Sequence, residues 1–224
     1  MSPKKRQARH IGDLHFMDPK VAHLRDYEDW AAHDKAVVRD WYSSVPDDDT
    51  VVYVYGDICK GNVASWEHAL RVLAGLPGDK RLINGNHDRT HPMHSSWVDY
   101  LPEALAVFTS VTPASAIRLG GRTVMQSHLP YDGDHIGDIG ERFTQWRLRD
   151  EGKWLVHGHV HDEWTVYRRQ ICVSWEKWRG GFATDNNLID LMERGERLEV
   201  VEAEAGLAAA MSSKAMIMDW GGGS

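Results

Sequence analysis

Five short blocks of this chain carry residue types that ligate metals: Asp13-Leu14-His15, Gly56-Asp57, Asn86-His87-Asp88, Ser127-His128 and Gly158-His159-Val160-His161. Their donors are imidazole nitrogens and carboxylate or amide oxygens. With two cysteines, Cys59 and Cys172, a thiolate site is excluded, and the donor set suits manganese, iron or zinc. If the blocks meet, Asp13, His15, Asp57, Asn86, His87, His128, His159 and His161 offer more groups than one tetrahedral ion can use. Two ions roughly 3.5–4 Å apart, sharing a carboxylate, make a clamp for phosphoryl hydrolysis. Two divalent cations bring four positive charges, of which Asp13 and Asp57 offset two. The remainder suits a hydroxide and one phosphodiester anion. His157, His159 and His161 alternate around Gly158. In a regular strand they would share a face. If the strand ends near His157 and Gly158 turns the backbone inward, His159 and His161 reach different ions and His157 packs behind them.

The elements that must position these blocks are short apolar runs ending in Gly, Asp, Asn or His: 10–11, 51–55, 81–83, 123–126 and 154–156. Each has the length and β-branched bias of a buried strand. Further strands are expected at 171–175 and near 198–200. Helical patterns fall between them, from about His23 to Ser43, from Val63 to Leu73 with Gly75 as a stop, and from Gly140 to Arg149. Strands alternating with helices imply an α/β or mixed α+β architecture, and in such sheets ligands gather beyond the carboxyl ends of the strands. The Gly- and Asp-rich stretch 130–140 reads as a loop, with Asp132, Asp134 and Asp138 as turn residues.

The length of 224 residues suits one domain. We expect a basic tail over 1–8, a single domain over 9–202, and an Ala- and Met-rich extension over 203–224 that offers a surface for self-association. No apolar run is long enough to span a bilayer, no signal-peptide core follows the basic N-terminus, and two cysteines fit a reducing cytoplasm. The net charge of −7 argues against a grip on long nucleic acid and leaves small nucleotides open.

In order and content, Asp13-Leu14-His15, Gly56-Asp57, Gly85-Asn86-His87-Asp88, His128 and Gly158-His159-Val160-His161 resemble the signature of the calcineurin-like metallophosphoesterases. The likeness spans about two thirds of the chain. Two further stretches, 127–131 and 147–152, are similar to small phosphoesterases of actinobacteria and their phages, which would place the protein in a host cytoplasm. The resemblance implies a four-layer αββα sandwich of two mixed sheets flanked by helices, with two divalent ions, Mn²⁺ foremost and Fe or Zn as alternatives, between the sheets. It implies Asp13, His15, Asp57 and His161 on one ion and Asp57, Asn86, His128 and His159 on the other. His87 would protonate the leaving oxygen, Asp88 would orient His87, and a metal-bridging hydroxide would attack.

The chain departs from the family after Gly56-Asp57. Ile58-Cys59-Lys60 stands where many monoesterases carry a phosphate-gripping Arg, and Lys60 is a poorer bidentate partner. That favours phosphodiesters, with 2′,3′- or 3′,5′-cyclic nucleotides as the leading substrates. A broad phosphatase or nuclease on the same centre is the alternative, and a scaffold without activity a distant third. Arg89, His91 and His135 are candidate substrate contacts, weighed against a plain polar loop. His94 fits the loop reading better. Trp66, Trp146 and Trp175 are candidates for base stacking or for core packing.

Overall fold

The β-branched runs become strands, and their order places the chemistry-bearing blocks at one edge. The computed structural model describes residues 8–134, 140–178 and 180–196. β1 (Ala8–Ile11), β2 (Val51–Val54), β3 (Asp79–Ile83), β4 (Ser110–Thr112) and β10 (Ala183–Thr184) form one sheet, ordered β10-β1-β2-β3-β4. Its β1, β2, β3 and β4 run parallel, with His10 opposite Tyr53 and Val54 opposite Leu82, while β10 is antiparallel to β1. β5 (Ala114–Leu119), β6 (Arg122–Ser127), β7 (Leu155–His157), β8 (Val166–Tyr167) and β9 (Gln170–Cys172) form the second, ordered β5-β6-β7-β9-β8. There β6, β7 and β9 are parallel, and β5 and β8 are antiparallel edges. This is the expected sandwich of two mixed sheets flanked by helices.

Two apolar cores hold the layers together. Val52, Val54 and Leu82 of the first sheet meet Val37 and Trp41 of α2 (Trp30–Ser44), Trp66, Leu70 and Leu73 of α3 (Val63–Ala74), and Ala104 of α4 (Leu101–Leu105). A second core packs Tyr55 and Ile83 against Val124, Val156 and Ile171, with Leu188 and Met192 from the helical residues 185–196. Each fully buried aliphatic side chain contributes about 1.5–3 kcal/mol relative to exposure. Trp66 and Trp175 belong to the first core, so they are packing residues and not stacking platforms.

Three expectations about the elements change. The helix expected over His23–Ser43 is two, α1 (Pro19–Leu24) and α2. Asp18 caps α1 with Pro19 at its first turn, and Asp29 caps α2 by accepting from Ala32 N–H, as side-chain acceptors before a helix do. Between them Asp26 sits at φ 64°, which no right-handed helix accommodates. The helix expected over Gly140–Arg149 is instead an extended turn with one 3₁₀ turn at Thr144–Trp146. Gly140 and Phe143 adopt positive φ, and Arg142 and Arg147 are drawn to Asp134. The strand expected at 171–175 ends at Cys172. The tail up to residue 7, His135, the strand near 198–200 and the extension over 203–224 lie outside the described residues. Ala8, assigned to the tail, pairs with Val51 in the sheet.

Candidate metal centre

The parallel strands end where the two sheets meet. β1 delivers Asp13 and His15, β2 Asp57, β3 Asn86 and His87, β6 His128, and β7 His159 and His161. The backbone that carries them is strained. Asp13, His15, Asp57, His159 and His161 all have φ between 47° and 73°. A non-glycine residue in that region is uncommon and costs on the order of 1–2 kcal/mol. Such outliers persist where the surroundings over-determine them, and they cluster at functional sites. Gly158, expected to turn the backbone inward, does so without a positive φ. It lets two loops touch, because a Cβ there would lie 2.5 Å from Asp13 Oδ2 and 2.8 Å from Tyr55 O.

Hydrogen bonds across the sheet interface fix the blocks together. Gly12 N–H donates to Val173 O and Trp175 N–H to Gly12 O. Ser174 Oγ donates to Asp13 Oδ2 at 2.6 Å, and His159 N–H donates to the same carboxylate at 3.0 Å. His128 Nδ1 donates to Tyr55 O at 2.7 Å.

Two trios of ligand atoms result, Asp13–His15–His161 and Asp57–His128–His159, with the atoms of each trio within 4.8 Å of one another. Of the six residues only His161 is partly exposed. Among the described residues, His15 Nε2 is buried without a hydrogen-bond partner, a cost that a cation would remove. His128 Nε2 lies 3.3 Å from Asp57 Oδ2 and 3.2 Å from Asn86 Oδ1. That places Asn86 beside the second trio, as expected. Burial works to raise the Asp57 carboxyl, but His128 holds it well below the usual carboxylate range. Asp57 also acts electrostatically on His15 of the first trio. These buried oxygen and nitrogen donors fit two divalent cations.

The imidazoles are oriented from behind, as metal-binding histidines usually are. His15 Nδ1 meets Asp18 Oδ2 at 3.2 Å, His161 Nδ1 meets Glu176 Oε1 at 2.6 Å, and His159 Nε2 meets Asp134 Oδ2 at 2.9 Å. Glu176 also accepts from Arg25 Nε, and Arg25 Nη2 reaches Asp13 O. Burial would raise the Glu176 carboxyl, yet His161 and Arg25 hold it at about 2. Sequence reading missed Asp18, Glu176 and Ser174 and took Asp134 for a turn residue. Asp134 is 1% exposed. For Asp18 a signal existed, because Asp18-Pro19 is a helix-start pair three residues after His15.

His87 stands at the rim, with its side chain 46% exposed and Nε2 4.0 Å from Asp57 Oδ2. Its orienting partner is not Asp88. His87 Nδ1 donates to Lys60 O at 3.2 Å. Asp88 is fully buried and accepts from the backbone N–H groups of Gly85, Asp57 and Ile58. Burial, with Asp57 close by, pushes its carboxyl up. Asp88 therefore shapes the turn that carries Asp57, and the imidazole is left to a carbonyl.

The candidate substrate contacts separate. Arg89 is folded onto Tyr100, its guanidinium 4.0 Å from the ring centroid, with Nη1 donating to Gly61 O. It lines a hollow of about 310 Å³ with Gly61, Met93, His94, Ser95 and Ser96. His91 is buried, accepts from Met93 N–H and meets the half-exposed Trp146 edge-on at 5.4 Å. His94, read as a loop residue, reaches Asn86 O at 3.0 Å. A larger cleft of about 660 Å³ opens beside the first trio, lined by His15, His87 and His161 together with Lys20, Val21 and Leu24 of α1. His157 is buried, donates to Gly158 O at 2.7 Å and lies outside both trios. Cys59 is buried, and burial pushes its thiol up to about 12, so it is no nucleophile.

The chain is 39% identical over 192 residues to the Gene 66 protein of Mycobacterium phage L5, covering 80% of this chain and 91% of the phage protein. It is 41% identical over 179 residues to the Gene 66 protein of Mycobacterium phage D29, covering 74% and 86%. No family model matches the chain. Among solved structures it is similar to the protein of unknown function AQ665 from Aquifex aeolicus. That likeness has a TM-score of 0.61 at 20% identity, and it covers 84% of this chain and all of the other. It concerns the fold alone. No helix among the described residues is long and apolar enough to cross a membrane.

Proposed function

The chain belongs to the family of the mycobacteriophage Gene 66 proteins, and we propose that it is a dinuclear metal-dependent phosphodiesterase of the metallophosphoesterase type. One observation carries the reading: two ligand trios, Asp13–His15–His161 and Asp57–His128–His159, share one edge of the sandwich. When bound there, two divalent cations supply Lewis acidity toward a phosphoryl group and acidify water at neutral pH. Mn²⁺ suits the mixed nitrogen and oxygen donors.

The protein's own groups supply positioning and the proton. Asp18, Glu176 and the Tyr55 carbonyl hold three imidazoles at fixed angles. His87 is exposed toward the cleft, and Lys60 O claims its Nδ1 proton. Its Nε2 is left free to face the leaving group and pass a proton to the departing alkoxide. The cleft of about 660 Å³ lies within the usual range for small-molecule sites. The absence of an arginine next to Asp57 favours a monoanionic diester over a dianionic monoester. Small phosphodiesters and cyclic nucleotides fit these limits, and the phage relatives fit action in a host cytoplasm.

Purified protein with Mn²⁺ is expected to hydrolyse a bis-aryl phosphodiester, and chelator to abolish this. A panel of 2′,3′- and 3′,5′-cyclic nucleotides, mononucleotides and single-stranded DNA ranks the substrates. Preference for mononucleotides or DNA moves the assignment to the phosphatase or nuclease reading. Inactivity on every phosphoester at saturating Mn²⁺ overturns it.

A further inference from the structure

One heavily bonded charged group beside the site is left unused by the proposed chemistry. Asp134 Oδ2 meets His159 Nε2 at 2.9 Å. Its carboxylate also accepts from Arg142 Nη2 at 2.6 Å and Nε at 3.1 Å, and from Arg147 Nη2 at 3.2 Å. Arg147 is nearly buried and is paired in turn with Glu141. Glu141 accepts from Gly133 N–H at 2.8 Å and Asp134 N–H at 3.3 Å. Among the described residues, two arginines and two carboxylates thus form a cluster that meets the second trio at His159. Phe143 packs edge-on to the same imidazole at 5.6 Å. His159 Nε2 also lies 3.3 Å from Arg142 Nη2, farther than the 2.9 Å to Asp134 Oδ2, so the nearer carboxylate sets the proton on Nε2 and leaves Nδ1 bare. Of the two ring nitrogens only a bare one can ligate a cation.

We propose that Asp134 is the positioning residue of the second cation site, selecting the Nε2–H form of His159 so that Nδ1 is the ligand atom, with Arg142 and Arg147 holding the carboxylate in place. The inference rests on the dinuclear reading above but concerns only the second site. Asp18 and Glu176 serve the histidines of the first trio in the same way, yet each sits within the packed body. Asp134 comes from a loop, so the second site depends on ion pairs that link residues 134, 141, 142 and 147 to the sheet ends. A carboxylate behind a metal-binding histidine is typically worth about 10- to 100-fold in metal affinity.

The test uses the full chain and Mn²⁺ alone. In calorimetric titration of Asp134→Asn, one of two Mn²⁺ sites is expected to weaken about 10- to 100-fold while the other stays within about threefold. Asp134→Glu should recover part of the loss. Glu141→Gln loosens the cluster without touching His159 and should affect the second site less than Asp134→Asn does. Because removing Asp134 leaves buried arginine charge uncompensated, the unmutated protein supplies an independent reading. In its metal-free form, ¹⁵N-histidine NMR, with His159 assigned through His159→Gln, should show Nε2 protonated and Nδ1 bare. A protonated Nδ1, or equal weakening of both sites in Asp134→Asn, overturns the proposal. If only one Mn²⁺ binds to the unmutated protein at saturation, the dinuclear reading itself fails, which separates the two outcomes.

Discussion

Replacing Gly158 by alanine tests the site through a single methyl group. The added Cβ would meet Asp13 Oδ2 at 2.5 Å, Tyr55 O at 2.8 Å and His128 Nδ1 at 3.2 Å. Real Cβ atoms essentially never come closer than 3.0 Å, so Asp13 and Gly158 must part by about 0.5 Å or more in an interior packed as densely as a crystal. Neither side yields easily. The carboxylate is pinned by Ser174 Oγ and His159 N–H, and Tyr55 O is a backbone atom already bonded to His128. Overpacking of this kind costs about 1–3 kcal/mol, a loss of several degrees in Tm for a chain of this size. The displaced atoms belong to both trios, so both Mn²⁺ affinities should fall, and turnover by up to roughly 10²-fold from misplacement alone. Thermal unfolding of the metal-free protein and Mn²⁺ titration read the two effects separately. Gly75→Ala is the control, because its Cβ meets only Val72 O at 3.6 Å. It should stay within about 0.5 kcal/mol. Wild-type Tm and wild-type affinity at both sites in Gly158→Ala would refute the close-approach argument.

Three other outcomes follow from the geometry. His87→Ala should bind both Mn²⁺ ions normally yet lose about 10²- to 10⁴-fold in kcat; loss of metal in equilibrium dialysis would place His87 among the ligands instead. His157→Asn should retain both ions, because among the described residues the His157 imidazole hydrogen-bonds just the neighbouring Gly158 carbonyl, and a one-ion stoichiometry would contradict this. Metal binding near pH 7.5 should release protons. Burial lowers the pKa of His128 and His161, but Asp57 lifts the first to about 10 and Asp13 and Glu176 lift the second to about 9. Both rings are then protonated in the metal-free protein and must lose that proton to bind a cation, so apparent affinity rises with pH up to about 9–10. Calorimetry in buffers of different ionisation enthalpy should give about two protons from these rings, and release of none would contradict the assignment.

The strands were legible because a buried parallel strand is a short β-branched run with a punctuated end. Those ends are also where the candidate ligands sit, so His128 and Asn86 could be placed from the strand pattern. What stayed hidden depends on pairings between segments far apart in sequence. Glu176 is known as the partner of His161 only once Trp175 has docked on Gly12. Asp134 lies 25 residues from His159 in a stretch with no apolar period, where an aspartate reads as a turn residue. The helix assigned to Gly140–Arg149 failed for a related reason. Arg142 and Arg147 are good helix formers, but their ion pairs outweigh propensity, which is a weak prior when charge and tertiary packing disagree. Asp88 shows the limit of analogy, since a carboxylate next to a histidine in sequence serves the backbone of Asp57 in space.

Asp13 is built from β1 yet bonded to His159 N–H and Ser174 Oγ, and His128 is built from β6 yet bonded to Tyr55 O. Neither trio can exist in a molecule whose sheets have come apart, and the sheets cannot separate without leaving buried charge unpaired. The amides of residues 12–15 and 157–161 should therefore exchange with solvent as one unit, on the timescale of global opening. Loading the site would then slow unfolding of the whole sandwich rather than stiffen a local patch. If the proposed cations bind, their removal would leave the sandwich as a whole, and not one patch of it, more open to proteolysis.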